Sequence, residues 1–163
     1  MPERRRLRVT GTVQGGGFRP FVYRRAAELG LSGWGGNDSL GVVLEGEGPA
    51  EALDRLADRL RSDAPPLARI ESVDVEPLTP TGEAGFTIVD SRAAGSPAGA
   101  VPVDVATCAD CERELFDPSD RRFRYPFINC TNCGPRYTII RSIPYDRAST
   151  TMAGFVMCAV CRG

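Results

Sequence analysis

The feature that most constrains this chain is the spacing of its cysteines. All six lie in the last third of the 163 residues, as three C-x-x-C pairs: Cys108 with Cys111, Cys130 with Cys133, and Cys158 with Cys161. Each pair can place two thiolates on one metal ion, and two pairs supply the tetrahedral four-sulfur set typical of structural zinc. Zinc would then stabilise a polar segment of about sixty residues that is too small to build a sufficient core. The spacing predicts a zinc-binding region over residues 104–163, with all six cysteines as metal ligands.

Two alternatives compete with zinc at these cysteines. A disulfide framework expects an oxidising compartment, yet the N-terminus has no apolar export segment. A redox-active C-x-x-C usually occurs once, at a helix start that follows a strand. Zinc is therefore the better interpretation for the first two pairs. How the pairs combine stays open, because successive pairs can share one ion or the first pair can join the third.

Two absent residue types limit the chemistry. The chain has no histidine, and all twenty of its basic residues are arginine. A Ser-His-Asp triad, a Schiff-base lysine, a Walker lysine and a histidine-bound metal are thereby excluded. A net charge of −1 argues against bulk binding to nucleic acid, and the lack of a long apolar run predicts a soluble cytoplasmic protein. The one dense basic run, Arg4 to Arg8, is interpreted as a solvated terminus or an edge strand.

Hydrophobic periodicity alternates between strand and helix patterns in the first ninety or so residues. Strands are predicted at Arg6–Val13, Leu31–Trp34, Gly41–Glu47, Ile70–Val75 and Phe86–Val89, helices at Pro20–Leu29 and Ala50–Arg61, and a hairpin turn at Asn37, Asp38 and Ser39. This order matches a ferredoxin-like α+β fold, in which two helices cover an antiparallel sheet. We therefore predict a first domain over residues 1–91 and a linker over residues 92–103, where small flexible residues predominate.

A glycine-rich loop joins the first predicted strand to the first predicted helix: Gln14-Gly15-Gly16-Gly17-Phe18-Arg19. Glycines let successive backbone N–H groups converge on an anion, and a helix start adds partial positive charge. Arg19 supplies a forked, permanently charged donor that matches two phosphate oxygens. Loop composition alone leaves an alternative, in which the glycines merely form a tight turn and Arg19 lies on the surface.

The wider sequence favours a phosphate site. Val13-Gln14-Gly15-x-Gly17-Phe18-Arg19-Pro20, followed by Gly33-Trp34-x-x-Asn37, resembles the acylphosphatase signature. The resemblance covers nearly all of residues 1–91 and implies an acylphosphatase-like fold. It also implies that a phosphoryl group binds to Gln14, Gly15, Gly16, Gly17, Phe18 and Arg19. Arg19 and Asn37 are the catalytic residues that it implies, with Asn37 orienting an attacking water.

This chemistry needs neither a metal nor a general base. An acyl phosphate has a good leaving group, so aligning a water and stabilising the phosphoryl charge can suffice. The sequence departs from the family pattern at Gly16, where valine is usual, and at Gly35 and Gly36, where bulkier residues are usual. Each glycine in a fixed segment costs about 0.5–1 kcal/mol relative to alanine. We therefore expect phosphate binding to be better preserved than the catalytic rate.

The segment from Asp117 to Tyr137 surrounds the second cysteine pair. Preceded by an acylphosphatase-like domain and combined with the C-x-x-C spacing, it resembles the N-terminal part of the HypF family, the carbamoyltransferases of [NiFe]-hydrogenase maturation. The resemblance covers essentially all 163 residues. It implies cleavage of carbamoyl phosphate in the first domain, a HypF-type zinc finger after it, and transfer of the carbamoyl group to the partner HypE by later domains.

The family pattern continues beyond this chain. A fourth C-x-x-C pair would follow Cys158 and Cys161, so the second finger is expected to be incomplete here and the chain to be part of a longer protein. The 163 residues alone are not expected to carbamoylate HypE. A runner-up hypothesis is a noncatalytic zinc-containing module that binds RNA or another protein, although the strands lack the paired aromatic residues that stack on bases.

Overall fold

The computed structural model of the protein describes residues 2–14, 17–89, 105–130, 132–134, 137–142, 147–156 and 159. The predicted linker, residues 92–103, lies outside this described part. The helices and strands are β1 Glu3–Thr12, α1 Phe18–Glu28, β2 Ser32–Asn37, β3 Gly41–Gly48, α2 Ala50–Ser62, β4 Arg69–Leu78, β5 Phe86–Ile88 and α3 Ala109–Phe116. Short 3-10 turns follow α3 at Tyr137–Ile139, Arg147–Ser149 and Thr151–Gly154.

The five strands form one sheet in the order β4-β1-β3-β2-β5. Strands β4, β1, β3 and β2 pair antiparallel, which confirms the predicted ferredoxin-like α+β fold. Strand β5 adds to β2 in parallel, so the complete sheet is mixed. The mixed pairing follows from the path of the chain, because residues 79–85 cross from one edge of the sheet to the other before β5 begins.

Two strands extend beyond their predicted ends. Strand β2 continues through Gly35 and Gly36 to Asn37, although glycine is a weak strand former. Strand β4 runs through Pro77, which it tolerates because it is an edge strand with one side that needs no hydrogen bonds. The extension of β2 brings Asn37 into the sheet instead of the turn where the sequence pattern placed it.

Helices α1 and α2 pack on one face of the sheet and enclose the core. In α2, Leu53, Leu56 and Leu60 recur at helical spacing and are fully buried. The strands supply alternate residues to the same core, with Leu7 facing Leu44 across the β1–β3 pair. Each such buried leucine contributes about 1.5–3 kcal/mol relative to an exposed one. This packing holds the start of α1 at a fixed place above the sheet.

The opposite face of the sheet carries charged side chains and corrects one expectation. The sequence pattern indicates a solvated terminus or an edge strand for the Arg4–Arg8 run, but β1 is an interior strand of the sheet, between β3 and β4. Arg4 is 5% exposed. Its guanidinium donates to Glu45 at 2.8 Å, to Glu47 at 3.2 Å and to Glu83 at 3.1 Å. Arginine is tolerated at this interior position because acidic residues of neighbouring segments pair with it.

Glu45 and Glu47 are held as carboxylates by their surroundings. Burial raises the pKa of Glu45, but hydrogen bonds from Arg4 and Arg6 outweigh it and the net pKa lies below the ordinary value. The backbone N–H groups of Thr81 and Gly82 donate to Glu47 at 2.7 and 2.8 Å and lower its pKa. These bonds fix the crossing segment, residues 79–85, against the sheet.

Candidate functional site

The start of α1 carries most of the described part of the predicted phosphate site. Gly17 caps the helix with φ 72° and ψ 16°, a left-handed conformation that glycine adopts without steric cost. Its carbonyl accepts the Phe21 N–H at 3.0 Å. The first N–H groups of any α-helix lack a carbonyl four residues earlier in the same helix, so they can donate to other groups. Of the predicted phosphate-binding residues, Gly15 and Gly16 lie outside the described part of the chain.

Phe18 and Arg19 form the first turn of α1 and serve different purposes. Phe18 is fully buried, with its ring centroid 5.5 Å from that of Phe21. This contact anchors the helix start in the core. Arg19 is half-buried and follows Phe18 in the first turn of α1, the end of a helix that favours negative charge.

Asn37 ends β2, where it pairs with Val42 of β3. Gly35, two residues earlier, faces Val22 of α1 and Phe86. Because alternate strand residues share a face, Asn37 points to the helical side of the sheet. Asn37 is 2% exposed, yet neither its Oδ1 nor its Nδ2 has a hydrogen-bond partner among the described residues. A buried amide without partners costs folding free energy unless it hydrogen-bonds to a water or a ligand. The Asn37 position is therefore suited to bind a water or a ligand.

The hairpin after Asn37 is tied to the glycine-rich loop through Gln14. The buried Gln14 Nε2 donates to the carbonyl oxygens of Asp38 at 2.7 Å and of Gly41 at 3.3 Å. This side-chain nitrogen is therefore engaged with the hairpin, a role that the motif alone does not reveal. The bonds place the start of the loop beside the strand that carries Asn37.

Asp38 is a residue of this site that the sequence analysis missed. Its carboxylate accepts hydrogen bonds from the backbone N–H groups of Leu40 at 2.9 Å and Gly41 at 3.0 Å, and it pairs with Arg8 of β1. These contacts form the turn, which runs over residues 38–40. An aspartate placed three residues before a glycine is the signal that could have indicated them.

The structure brings the first two cysteine pairs together. The sulfur atoms of Cys108, Cys111, Cys130 and Cys133 all lie within 4.8 Å of one another. Sγ–Sγ distances are 3.4 Å between Cys108 and Cys130, 3.7 Å between Cys111 and Cys133, and 3.9 Å between Cys130 and Cys133. Four sulfurs bonded to one zinc at about 2.3 Å lie about 3.8 Å apart at the corners of a tetrahedron. The observed spacing fits that geometry and is too long for disulfides.

Local backbone geometry shapes the second half of this cluster. The Asn132 N–H donates to the Cys130 sulfur at 3.3 Å, and the Gly134 N–H donates to the Cys130 carbonyl at 2.7 Å. A Cβ at Gly134 would lie 2.8 Å from that carbonyl oxygen, so glycine is needed for the close approach. Cys158 and Cys161 lie outside the described residues.

The pKa values of two of these thiols, Cys111 and Cys133, are shifted in opposite directions. Burial and hydrogen bonds with the other sulfurs raise the pKa of Cys111. Burial also opposes ionisation of Cys133, but hydrogen bonds from the backbone of Cys108 and Cys130 outweigh it and lower its pKa to about 6. A metal ion would favour the thiolate at all four positions, because the coordinating species is the anion.

The fold and the two sites define the class of the protein, an acylphosphatase-like domain followed by a cysteine-based metal-binding module. The family model described as Acylphosphatase matches residues 5–88, and the model described as HypF finger matches residues 107–140. An acylphosphatase of Salinibacter ruber is 50% identical over 70 residues, which are 42% of this chain and 73% of that protein.

The particular family follows from longer matches. Carbamoyltransferase HypF2 of Cupriavidus necator is 55% identical over 155 residues, 94% of this chain and 19% of that protein. A crystal structure of full-length HypF in a phosphate- and nucleotide-bound form superposes with a TM-score of 0.94 at 42% identity, over 99% of this chain and 21% of that one. The chain belongs to the acylphosphatase family and matches, over nearly its whole length, the N-terminal region of HypF.

The chain spans about a fifth of the length of the HypF relatives that it matches. The matches to HypF proteins confirm the HypF resemblance predicted from the sequence. The exact domain boundaries and the roles of the individual site residues stay predictions. Within the described residues, no helix combines the length and the apolar character needed to cross a membrane.

Proposed function

We propose that the first domain hydrolyses carbamoyl phosphate, or another acyl phosphate, at the glycine-rich loop. The observation that carries the proposal is the Asn37 amide, which is buried on the helical face of the sheet with no hydrogen-bond partner for its Oδ1 or Nδ2 among the described residues. An amide in that state suits a bound water, which it can orient by donating one hydrogen bond and accepting another.

The proposed reaction is an attack of this water on phosphorus. The loop N–H groups and Arg19 would hold the phosphoryl oxygens and stabilise the charge that develops on them. Asn37 would hold the water on the side opposite the leaving group. The bond from phosphorus to the acyl oxygen breaks as the new P–O bond forms, releasing inorganic phosphate and carbamate or another carboxylate. Neither histidine nor lysine is needed for these roles, in agreement with a chain that has neither.

In the whole protein, this hydrolysis would be the first part of a carbamoyltransferase reaction. Relatives named carbamoyltransferase HypF support this assignment. HypF-type transfer of a carbamoyl group to HypE during [NiFe]-hydrogenase maturation would require regions that the HypF relatives have outside the fifth of their length that this chain spans. The cytoplasmic location and the absence of a nucleic-acid partner, both inferred from the sequence, belong to the same proposal.

We also propose that Cys108, Cys111, Cys130 and Cys133 bind one zinc ion. Four thiolates fill the tetrahedral positions and leave none open, so the ion would be structural. Cys158 and Cys161 are proposed as ligands of a further site, completed by residues beyond this chain.

The hydrolysis proposal is tested by phosphate release from carbamoyl phosphate and acetyl phosphate. Arg19→Ala and Asn37→Ala are each expected to lower kcat by about a hundredfold or more, as for removal of one transition-state donor. Arg24→Ala is the matched control, because Arg24 is an exposed arginine of the same helix and should leave the rate unchanged. Equal rates in the wild type and in both site variants would reject the catalytic assignment.

The zinc proposal is tested by metal content per chain. Cys108→Ser should remove one zinc relative to the wild type, whereas Cys158→Ser should leave that zinc in place. Loss of the same ion in both variants would instead support a site shared between the first and third pairs.

A further inference from the structure

We infer that Asp38 is a positioning residue that holds the Asn37 amide in register with the glycine-rich loop. The inference rests on the proposed hydrolysis, in which Asn37 orients the water. It starts from a simple requirement: an amide that orients a water must itself be held in place. Asn37 makes no side-chain hydrogen bond within the described part of the chain, so its own polar atoms do not provide that support.

Asp38, the next residue, makes bonds in three directions. Its Oδ1 accepts from the N–H groups of Leu40 and Gly41, which closes the turn at its own end of β2. Its Oδ2 accepts from Arg8, and its backbone carbonyl accepts from Gln14 at 2.7 Å. A single residue therefore joins the turn, the charged face of the sheet and the start of the glycine-rich loop.

The contact with Arg8 reaches past the hairpin. Arg8 lies on the interior strand β1, opposite Val43 of β3, so the ion pair ties the β2–β3 turn to β1. The Asp38 residue is 7% exposed, and a carboxylate that buried needs such compensation. The pair resists displacement of the turn relative to β1.

The turn leaves little freedom at its other end. The Asp38 N–H donates to the Gly41 carbonyl at 3.1 Å. A Cβ at Gly41 would lie 2.2 Å from the Val9 carbonyl oxygen, so the turn packs directly against β1. Because the turn is held at both ends, the backbone of Asn37, the residue before it, is fixed relative to β1.

Loss of this support should affect kcat more than KM. Phosphate binding is assigned to the loop and Arg19, whereas alignment of the water is assigned to Asn37. A displacement of about 1 Å in a positioning group can cost up to a hundredfold in rate. We therefore expect a selective loss of turnover when Asp38 loses its carboxylate.

The experiment compares the whole chain with Asp38→Ala, Asp38→Asn and Asp74→Asn. Acetyl phosphate hydrolysis gives kcat and KM, and ¹H–¹⁵N spectra report on the Asn37 side-chain NH₂ group, identified by its loss in Asn37→Ala. Asp38→Asn keeps an oxygen that can accept from Leu40 and Gly41. Asp74 is the control, since it is an exposed acid on the same face of the sheet that accepts from Ser72.

Asp38→Ala should lower kcat by about tenfold or more with KM within about twofold, and should shift or broaden the Asn37 resonances. Asp38→Asn should recover kcat to within about threefold of the wild type. Asp74→Asn should match the wild type. Unchanged Asn37 resonances in Asp38→Ala, or a raised KM with unchanged kcat, would overturn the inference.

Two further outcomes of this experiment can be distinguished from a failure of the inference. If the wild type hydrolyses no acyl phosphate, the proposed function is rejected, while the Asn37 resonances still decide whether Asp38 positions this amide. If Asp38→Ala does not fold, Arg8→Met replaces it. This variant keeps the two hydrogen bonds that the Asp38 carboxylate accepts from the backbone N–H groups of Leu40 and Gly41. Arg8→Met should shift the Asn37 resonances, and wild-type spectra for Arg8→Met would overturn the inference.

Discussion

The side-chain amide of Gln14 donates to the carbonyl oxygen of Asp38 at 2.7 Å. Gln14 stands at the start of the glycine-rich loop, and Asp38 follows the residue proposed to orient water. The bond joins parts of the site that are 24 positions apart in the chain. Both residues are buried, so the bond is shielded from competing water.

Gln14→Glu tests the importance of this bond. Glutamate has nearly the same shape, but its carboxylate cannot donate, so two buried carbonyl groups would face an acceptor. The expected loss is about 1–3 kcal/mol of unfolding free energy, with a raised KM for acetyl phosphate. Urea unfolding and steady-state kinetics provide the measurements. Gln14→Ala introduces no charge and should lose less unfolding free energy than Gln14→Glu. A larger loss in Gln14→Ala would contradict this account.

Asn37→Ala should separate stability from activity. Removing an amide with two unpartnered buried atoms relieves a desolvation cost, so the unfolding free energy should rise by about 1 kcal/mol. Phosphate release should fall in the same variant. Urea unfolding of wild type and variant, with and without inorganic phosphate, measures the effect. A destabilised variant would mean that a bound water already satisfies the amide in the free protein.

Gly35→Ala should strengthen the strand that carries Asn37. A Cβ there would meet Phe86 and Val22 at 3.6 Å, an ordinary contact distance. We expect about 0.4–1 kcal/mol of added stability, because alanine restricts the unfolded chain. Gly33→Ala is the contrasting variant on the same strand. Its φ is +130° and its Cβ would lie 2.0 Å from the Glu45 carbonyl oxygen, so it should fold poorly. Thermal unfolding of both variants distinguishes these effects.

The Arg4 cluster predicts sensitivity to acid. Glu45 and Glu47 have lowered pKa values in the folded state, so the unfolded chain takes up protons first as the pH falls. Stability should be fully present above a pH of about 4.5 and decline below it. Urea midpoints between pH 3 and 7, at about one-unit steps, measure this dependence. In Arg4→Met the decline should be shallower and the stability at neutral pH lower, whereas a parallel decline would exclude Arg4 as the cause.

Metal binding should depend on the backbone at Gly134. A methyl group there would approach the Cys130 carbonyl to 2.8 Å, so Gly134→Ala must displace the loop that orients Cys130 and Cys133. We expect about a tenfold or greater loss of zinc affinity in competition with a chelator, comparable to the loss of an outer-shell partner. Gly154→Ala is the control, since nothing lies within 4 Å of its added Cβ. Equal affinities would contradict the proposed role of Gly134.

Much of the fold could be predicted from local patterns. Strand alternation, helical spacing and glycine positions located both long helices and all five strands, because each reflects burial on one side of an element. The charged Arg4 could not be assigned to an interior strand in the same way. Its burial depends on Glu45, Glu47 and Glu83, which are distant in sequence and reach it only in the folded sheet.

The candidate site could also be predicted only in part, because some of its contacts join residues that are distant in sequence. Arg19 and Asn37 belong to a motif, so a resemblance can indicate them, and the cysteine spacing indicates a metal by itself. The contacts of Gln14 and Asp38 instead depend on the register between the loop and the hairpin. Register is set by tertiary packing, and a single sequence does not display it.

The interior position of β1 has a consequence for synthesis on the ribosome. Arg4 emerges well before its partners, because it pairs with Glu45, 41 positions later, and with Glu83, 79 positions later. The charge of Arg4 is therefore neutralised only after β3 and the segment that follows β4 have been synthesised. With contacts this far apart along the chain, the domain should fold late and as one unit, after most of its length has left the exit tunnel.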